Sequence, residues 1–241
     1  MISRKEGERR FRQIHDDRVE RWPYYMWGNH SGTTWDAGTS HISVVDANGM
    51  AVSMTTTNNL YFGSLVLTPD GILLNNDMDD FSRPDTPNAF GYAPMPANYI
   101  HSGKRPMSSM APAIVESLRT GELELVTGSA GGSRIITANI LSVIGYLTQR
   151  GERDLQRVFD RPRWHHQLLP PEAIFEYPVP ILPRRIAYDN ATVGALAQLG
   201  HNVSWIEPGH SAAQGIELRT DGTMHAAAEL RQITARGAAI A

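Results

Sequence analysis

The sequence predicts an α+β fold in which β-sheets are stacked beneath helices, and three observations predict it. Strand-like, β-branched runs lie on both sides of two helical segments. Residues 133–151 (SRIITANILSVIGYLTQRG) carry apolar side chains at helical spacing, as a buried helix does. The 21 glycines and 15 prolines suit a loop-rich, sheet-rich chain better than a helical bundle.

Along the chain, residues 1–21 mix both charge signs and read as a short polar helix. Residues 22–38 form an aromatic, glycine-containing loop, and the texture changes at Thr39. TSHISVVD and MAVSMTTTNNL flank Ala47-Asn48-Gly49, a hairpin signal with a left-handed glycine. That three-residue loop pairs Asp46 with Met50 and so sets Thr39 opposite Thr57, with Asn59 two residues on and expected on the same face. A two-residue loop shifts this register by one, and a Thr-rich run also arises simply because Thr favours strands. GILLN (71–75) reads as a short strand, 84–108 as irregular, and APAIVESL with LELVTGS as a second hairpin about Thr120-Gly121. A helix near 152–160 and another over 192–200, closed by Gly200, are followed by late strands turning at Asp221-Gly222.

At 241 residues the chain is long enough for one large domain with a real core. Its 22 basic and 25 acidic residues leave a net charge of −3, which gives no electrostatic footprint for nucleic acid. The absence of cysteine excludes disulfides, thiolate zinc sites and a Cys nucleophile. No run approaches the roughly 20 apolar residues that span a bilayer, and the charged first residues hold no signal-peptide apolar region. The expectation is a cytosolic chain or one whose targeting segment lies outside it.

Several clusters carry chemistry. In VTGSAGGSRIIT a strand enters Gly131-Gly132 and then a helix, so backbone amides converge where a dipole favours an anion or developing oxyanion; structural tightness alone also explains such turns. It is neither a Walker A loop nor a Gly-x-Ser-x-Gly elbow. NNDMDDF places Asp77, Asp79 and Asp80 together, without EF-hand spacing, for calcium, acid–base work or an ammonium group. Ser108 and Ser109 are adjacent donors suited to a carboxylate, or part of a plain polar loop. His165 and His166 are neighbours that point different ways, so shared metal ligation is not expected and a structural role is.

Taken in order, TSHISVVD, TTTNN, NNDMDDF, GKRPMSSM, GSAGGSRIIT and RPRWHHQLLP resemble the small subunit of the γ-glutamyltranspeptidases (glutathione hydrolases). The resemblance runs from about Gly38 to the C-terminus, and residues 1–38 are similar to the tail of that family's large subunit, leaving 39–241 as the catalytic part. It implies an N-terminal nucleophile hydrolase, an αββα sandwich of which this chain holds the small-subunit part, activated by self-cleavage between Gly38 and Thr39. Thr39 is then the nucleophile and Thr57 its hydrogen-bonding partner. Asn59, Asp77 and Asp80 hold the substrate's α-amino group, Ser108 and Ser109 its α-carboxylate, and Gly131 with Gly132 form the oxyanion hole. His41, next to these, is expected to be structural.

Glutathione and γ-glutamyl compounds are the implied substrates, with water, amino acids or dipeptides as acceptors. The large subunit of the same precursor is the implied partner, and no cofactor or metal is required. The family's members are membrane-attached, extracellular, periplasmic or vacuolar. Position 77 is Asp where the family has Glu or Gln, which puts its amine contact in question, and AAAELR stands where the family has an Asp-Pro-Arg-type segment. A missing large subunit predicts an exposed apolar face, and a truncated product inactive unless that subunit is supplied. The competing readings are a cephalosporin-acylase-like member of the same nucleophile class and an inactive fragment or pseudoenzyme.

Overall fold

The computed structural model describes residues 3–21, 24, 38–87, 93–151, 153–178, 187–231 and 235–238. The aromatic loop expected over 22–38 lies outside the described residues except for Tyr24 and Gly38.

Strands β1 (Thr39–Val45) and β2 (Ala51–Thr57) pair antiparallel, from Thr39 opposite Thr57 to Val45 opposite Ala51. The turn enforces this register. The Asp46 carboxylate accepts the amides of Asn48 and Met50, both at 2.8 Å, and Gly49 takes the left-handed φ of 84° that closes the loop. Both strands bury alternate residues, but the buried face is the polar one, with Thr39, His41, Ser43, Ser53, Thr55 and Thr57. The aliphatic residues Ile42, Val44, Val52 and Met54 lie on the other face, 47–50% exposed. A two-faced antiparallel pair ordinarily buries its aliphatic side, and this hairpin instead turns that side outward.

The polar face packs on a four-stranded antiparallel sheet of order β3-β4-β8-β9: β3 Ala113–Glu116, β4 Leu123–Ala130, β8 Ala212–Leu218 and β9 Met224–Ala228. Contact with β4 is close. The His41 ring lies over Gly128, where an added Cβ would come within 2.2 Å of it, and Ser53 donates to the Thr127 carbonyl at 2.9 Å. His41 meets Thr55 Oγ1 at 2.9 Å and Ser43 Oγ at 3.0 Å, so both ring nitrogens are engaged inside the hairpin. Burial holds its pKa down at about 4.

The sheet's opposite face carries α2 (Arg134–Leu147) and α3 (Leu155–Phe159), packed through Leu125, Tyr146, Leu155, Val158, Phe159, Ala213 and Ala227. Buried Glu217 accepts the Leu155 amide at 3.0 Å and so fastens the start of α3 to β8. Hairpin, sheet and helices thus make three successive layers among the described residues. The aliphatic side of the hairpin is where a fourth would lie, the apolar face expected to be exposed.

A smaller sheet of β5 (Trp164–His165), β6 (Ala173–Glu176) and β7 (Val203–Ile206) packs on α4 (Asn190–Gln198) through Phe175, Val193 and Trp205. Its β6–β7 pairing is parallel, and β5 and β6 have no counterpart in the sequence expectation. These strands are two to four residues long and Pro-flanked, too short to show a period. Arg231 ties this sheet to the main core, donating to Glu176 at 2.7 Å and to the Phe159 carbonyl at 2.8 Å.

Two other expectations are corrected. The N-terminal helix α1 spans only Arg4–Phe11, capped by Ser3 and laced by one-turn ion pairs of Glu8 with Arg4 and of Glu6 with Arg9 and Arg10. The ion pairs of Arg18 with Asp17 and Glu20, by contrast, are not at helical spacing. Residues 71–75 form no strand beyond the single bridge of Leu67 with Leu73. His165 and His166 do diverge: His165 is buried against Thr137 at 2.7 Å, whereas His166 accepts the Leu168 amide and lies edge-on to His201. No helix among the described residues is long and apolar enough to cross a membrane.

Two outcomes follow from the His41–Gly128 contact. Gly128→Ala forces a methyl into the ring and is expected to destabilise the chain by about 1–3 kcal/mol in urea unfolding. The His41 ring protons, followed by NMR, should titrate near pH 4 rather than near 6.5. Because the folded pKa is depressed, the stability gained from the neutral ring is complete above pH 6.5 and drains away as pH falls toward 4.

Candidate active site

Thr39 opens β1, and its hydroxyl donates to Thr57 Oγ1 at 3.1 Å, the cross-strand contact that the register creates. Thr57 Oγ1 also accepts the Asn59 amide at 2.8 Å. The preceding residue is clamped as well. Gly38 donates its amide to the Asn59 carbonyl at 2.8 Å and accepts the Asn58 amide at 3.1 Å. A Cβ at position 38 would sit 2.7 Å from the Leu60 carbonyl, so only glycine fits there.

Asn59 is buried but does not share the strand face by alternation, as the sequence predicted. Strand β2 ends at Thr57, and Asn59 has φ of 70°, a left-handed turn that asparagine tolerates. The turn brings its side chain to the segment carrying the acids, where Nδ2 donates to the Asn76 carbonyl at 3.1 Å. Asp77 begins a 3-10 turn that runs Asp77–Asp80. Its Oδ1 is buried and accepts no hydrogen bond from the described residues, and burial pushes its carboxyl pKa up. Asp79 instead faces outward, in an ion pair with Arg83 at 3.0 Å.

The Asp80 carbonyl accepts Asn98 Nδ2 at 2.6 Å, and Asn98 Oδ1 accepts the Met107 amide at 3.0 Å. Asn98 therefore joins the acidic turn to the loop of Ser108 and Ser109. Ser108 Oγ accepts the Met110 amide at 3.2 Å, and Ser109 donates its hydroxyl to the Gly132 carbonyl at 2.8 Å. Gly131 has φ of 130° and Gly132 φ of 60°, and a Cβ on Gly131 would lie 2.4 Å from the His210 carbonyl. The two glycines are an obligate turn that delivers β4 into α2, a helix of 14 residues, so their amides lie at its positive end.

Hydrogen bonds link Thr39 through Thr57 and Asn59 to Asn76, the Asp80 carbonyl through Asn98 to Met107, and Ser109 to Gly132, while Asp77, Ser108 and Gly131 join these only along the chain. Asn76 and Asn98 carry no sequence signal beyond an amide side chain in a segment with no period. The group can position a hydroxyl nucleophile, offer carboxylates to a cation and offer backbone amides to an oxyanion.

The model of the gamma-glutamyltranspeptidase family matches residues 1–239. The chain is 42% identical over 204 residues to a glutathione hydrolase proenzyme of Arthroderma benhamiae, covering 84% of this chain and 33% of that protein. It is 41% identical over 196 residues to a glutathione hydrolase of Aspergillus flavus, covering 80% and 31%. The chain therefore spans about a third of the length of these curated relatives. A solved mutant (W525D) gamma-glutamyltranspeptidase of Pseudomonas nitroreducens superposes with a TM-score of 0.68 at 33% identity, covering 83% of this chain and 97% of that one. That likeness makes the stacked layers part of an N-terminal nucleophile hydrolase sandwich. With the sequence matched almost end to end and the layers superposing, the chain belongs to the gamma-glutamyltranspeptidase family.

Proposed function

We propose that residues 39–241 are the catalytic small-subunit part of a γ-glutamyl transferase/hydrolase and that residues 1–38 are the tail of its large subunit. The observation that carries this reading is the Thr39–Thr57 hydroxyl pair, placed immediately after a clamped Gly38. Cleavage of the Gly38–Thr39 bond frees an α-amine, whose pKa near ~8 lets it accept the hydroxyl proton at neutral pH without a neighbouring histidine.

Thr39 Oγ1 then attacks the γ-carbonyl carbon of glutathione or a conjugate. The amine takes the hydroxyl proton, and the amides at Gly131-Gly132 receive the oxyanion. Collapse of the tetrahedral intermediate breaks the γ-amide bond, passes the proton to the leaving nitrogen and releases Cys-Gly from glutathione. The resulting γ-glutamyl ester on Thr39 is attacked by water or by the amine of an acceptor amino acid or dipeptide, which regenerates the hydroxyl.

Substrate orientation comes from charge. Asp80 and Asp77, with the Asn59 amide group, face the substrate's α-ammonium, while Ser108 and Ser109 take its α-carboxylate. The buried, unpartnered Oδ1 of Asp77 is suited to a cation, whose arrival favours the ionised carboxylate that burial disfavours. For Ser109, binding means exchanging its Gly132 bond for the substrate. The exposed aliphatic face of the hairpin is suited to cover by the large subunit.

With the large-subunit region of a relative co-expressed, Thr39→Ala is expected to lower p-nitroaniline release from γ-glutamyl-p-nitroanilide at least about a thousandfold. Thr39→Ser, which keeps a hydroxyl, retains activity and yields a γ-glutamyl adduct at residue 39 by mass spectrometry. Unchanged turnover in Thr39→Ala overturns the assignment, and turnover of glutaryl-7-aminocephalosporanic acid in preference to glutathione favours an acylase.

A further inference from the structure

Two joints of the candidate site, Asn76 and Asn98, are neither strand pairings nor proposed ligand-binding groups, and Asn76 is the one beside the nucleophile strand. Asn76 immediately precedes the acidic turn and uses every polar group it has. Its amide donates to the Asn58 carbonyl at 3.2 Å, and its carbonyl accepts Asn59 Nδ2 at 3.1 Å and the Asp79 amide at 2.9 Å. Its side chain works in both directions. Oδ1 accepts the Leu60 amide at 3.1 Å, and Nδ2 donates to Asp79 Oδ2 at 3.1 Å. Three of these bonds reach the 58–60 turn, which also fixes Gly38 and Thr57, while the other two brace the 3-10 turn that presents Asp77 and Asp80.

We propose that Asn76 is a positioning residue that holds the two acids at a set distance from the nucleophile and thereby sets the preference for substrates bearing an α-amino group. The inference rests on the reading of Asp77 and Asp80 as the ammonium site. The two turns, 58–60 and 77–80, flank residues 64–74, whose backbone bonds Ser64 to Leu74, Leu74 to Val66 and Thr68 to Ile72 draw the two arms together. Between the turns themselves Asn76 carries both backbone and side-chain bonds, and Oδ1–Leu60 is the one that a substitution of the Asn76 side chain removes. Asparagine fits because one planar amide carries an acceptor and a donor on opposite sides. Alanine lacks both, and aspartate keeps the acceptor alone.

The test uses the chain co-expressed with a relative's large-subunit region, assayed on γ-glutamyl-p-nitroanilide and on glutaryl-p-nitroanilide, which lacks only the amino group. Alanine removes both side-chain bonds, but only that to Leu60 runs between the turns, and its loss at ordinary net strength corresponds to a change of about tenfold. Asn76→Ala should therefore raise KM for the γ-glutamyl substrate about tenfold, leave kcat within about threefold and leave the glutaryl substrate unaffected. The preference between the two falls by about the same factor. Asn76→Asp combined with Asp79→Asn, which keeps the acceptor for Leu60 and exchanges donor and acceptor across the bond to position 79, adds no net charge and should keep KM within about threefold of the parent. Asn76→Ser, too short to reach Leu60, replaces the alanine variant if that one does not fold.

The inference is overturned if the alanine variant leaves the preference unchanged. It is equally overturned if kcat falls alike on both substrates and the Asn76→Asp/Asp79→Asn exchange behaves as Asn76→Ala does, the pattern of a purely structural residue. A parent chain with no γ-glutamyl activity overturns instead the reading beneath it.

Discussion

The register of one hairpin governs the site. Seven cross-strand pairs run between residues 39–45 and 51–57, and shifting them by one would turn Thr39 away from Thr57 and carry His41 out of the sheet interface. The shift is blocked at both ends. At the turn, the Asp46 carboxylate holds two amides; at the open end, Gly38 is fastened by paired backbone bonds to Asn58 and Asn59. Between them, the His41 ring fits only against a residue without a side chain, which β4 supplies as Gly128. In the proposed role of nucleophile, a threonine hydroxyl is weak on its own and needs its aim supplied by its surroundings, which here means strand pairing.

Beyond the hairpin, regular structure supplies little. The acids, the serines and the amide ends of α2 lie on loops, and three asparagines connect them. Asn59, Asn76 and Asn98 each join two segments, because a carboxamide donates and accepts at once without adding charge beside a site that already holds acids. Carboxylates in the same places would repel Asp77 and Asp80. Lysines would occupy the ground on which a substrate ammonium is expected to sit.

Much of this was legible in the sequence, for identifiable reasons. The hairpin suggested its register through β-branched alternation about a three-residue turn ending in glycine, with a two-residue loop as the alternative that the Asp46 bonds exclude. The Gly131-Gly132 turn was visible as two glycines before a helical period, but the role given to it came from the family resemblance. Asn59 was expected on the strand face by alternation, but alternation stops at Thr57 and a left-handed turn carries it onward. Strand β7 was legible, whereas β5 and β6, two and four residues long, and the parallel pairing that bridges about thirty residues of chain were not. Asn76 and Asn98 were silent because a joint is defined by what it touches, and loops impose no spacing on their contacts.

The inverted hairpin sets two practical aims against each other. Its outward side presents four aliphatic residues to water, while serine, threonine and histidine are spent on the interior. Charging those four positions would discourage the free polypeptide from clumping. The same charges would remove the greasy panel proposed to receive the large subunit. Any scheme for producing this polypeptide in dispersed form therefore has to leave that panel intact and shield it by other means, such as a detergent or a co-produced partner.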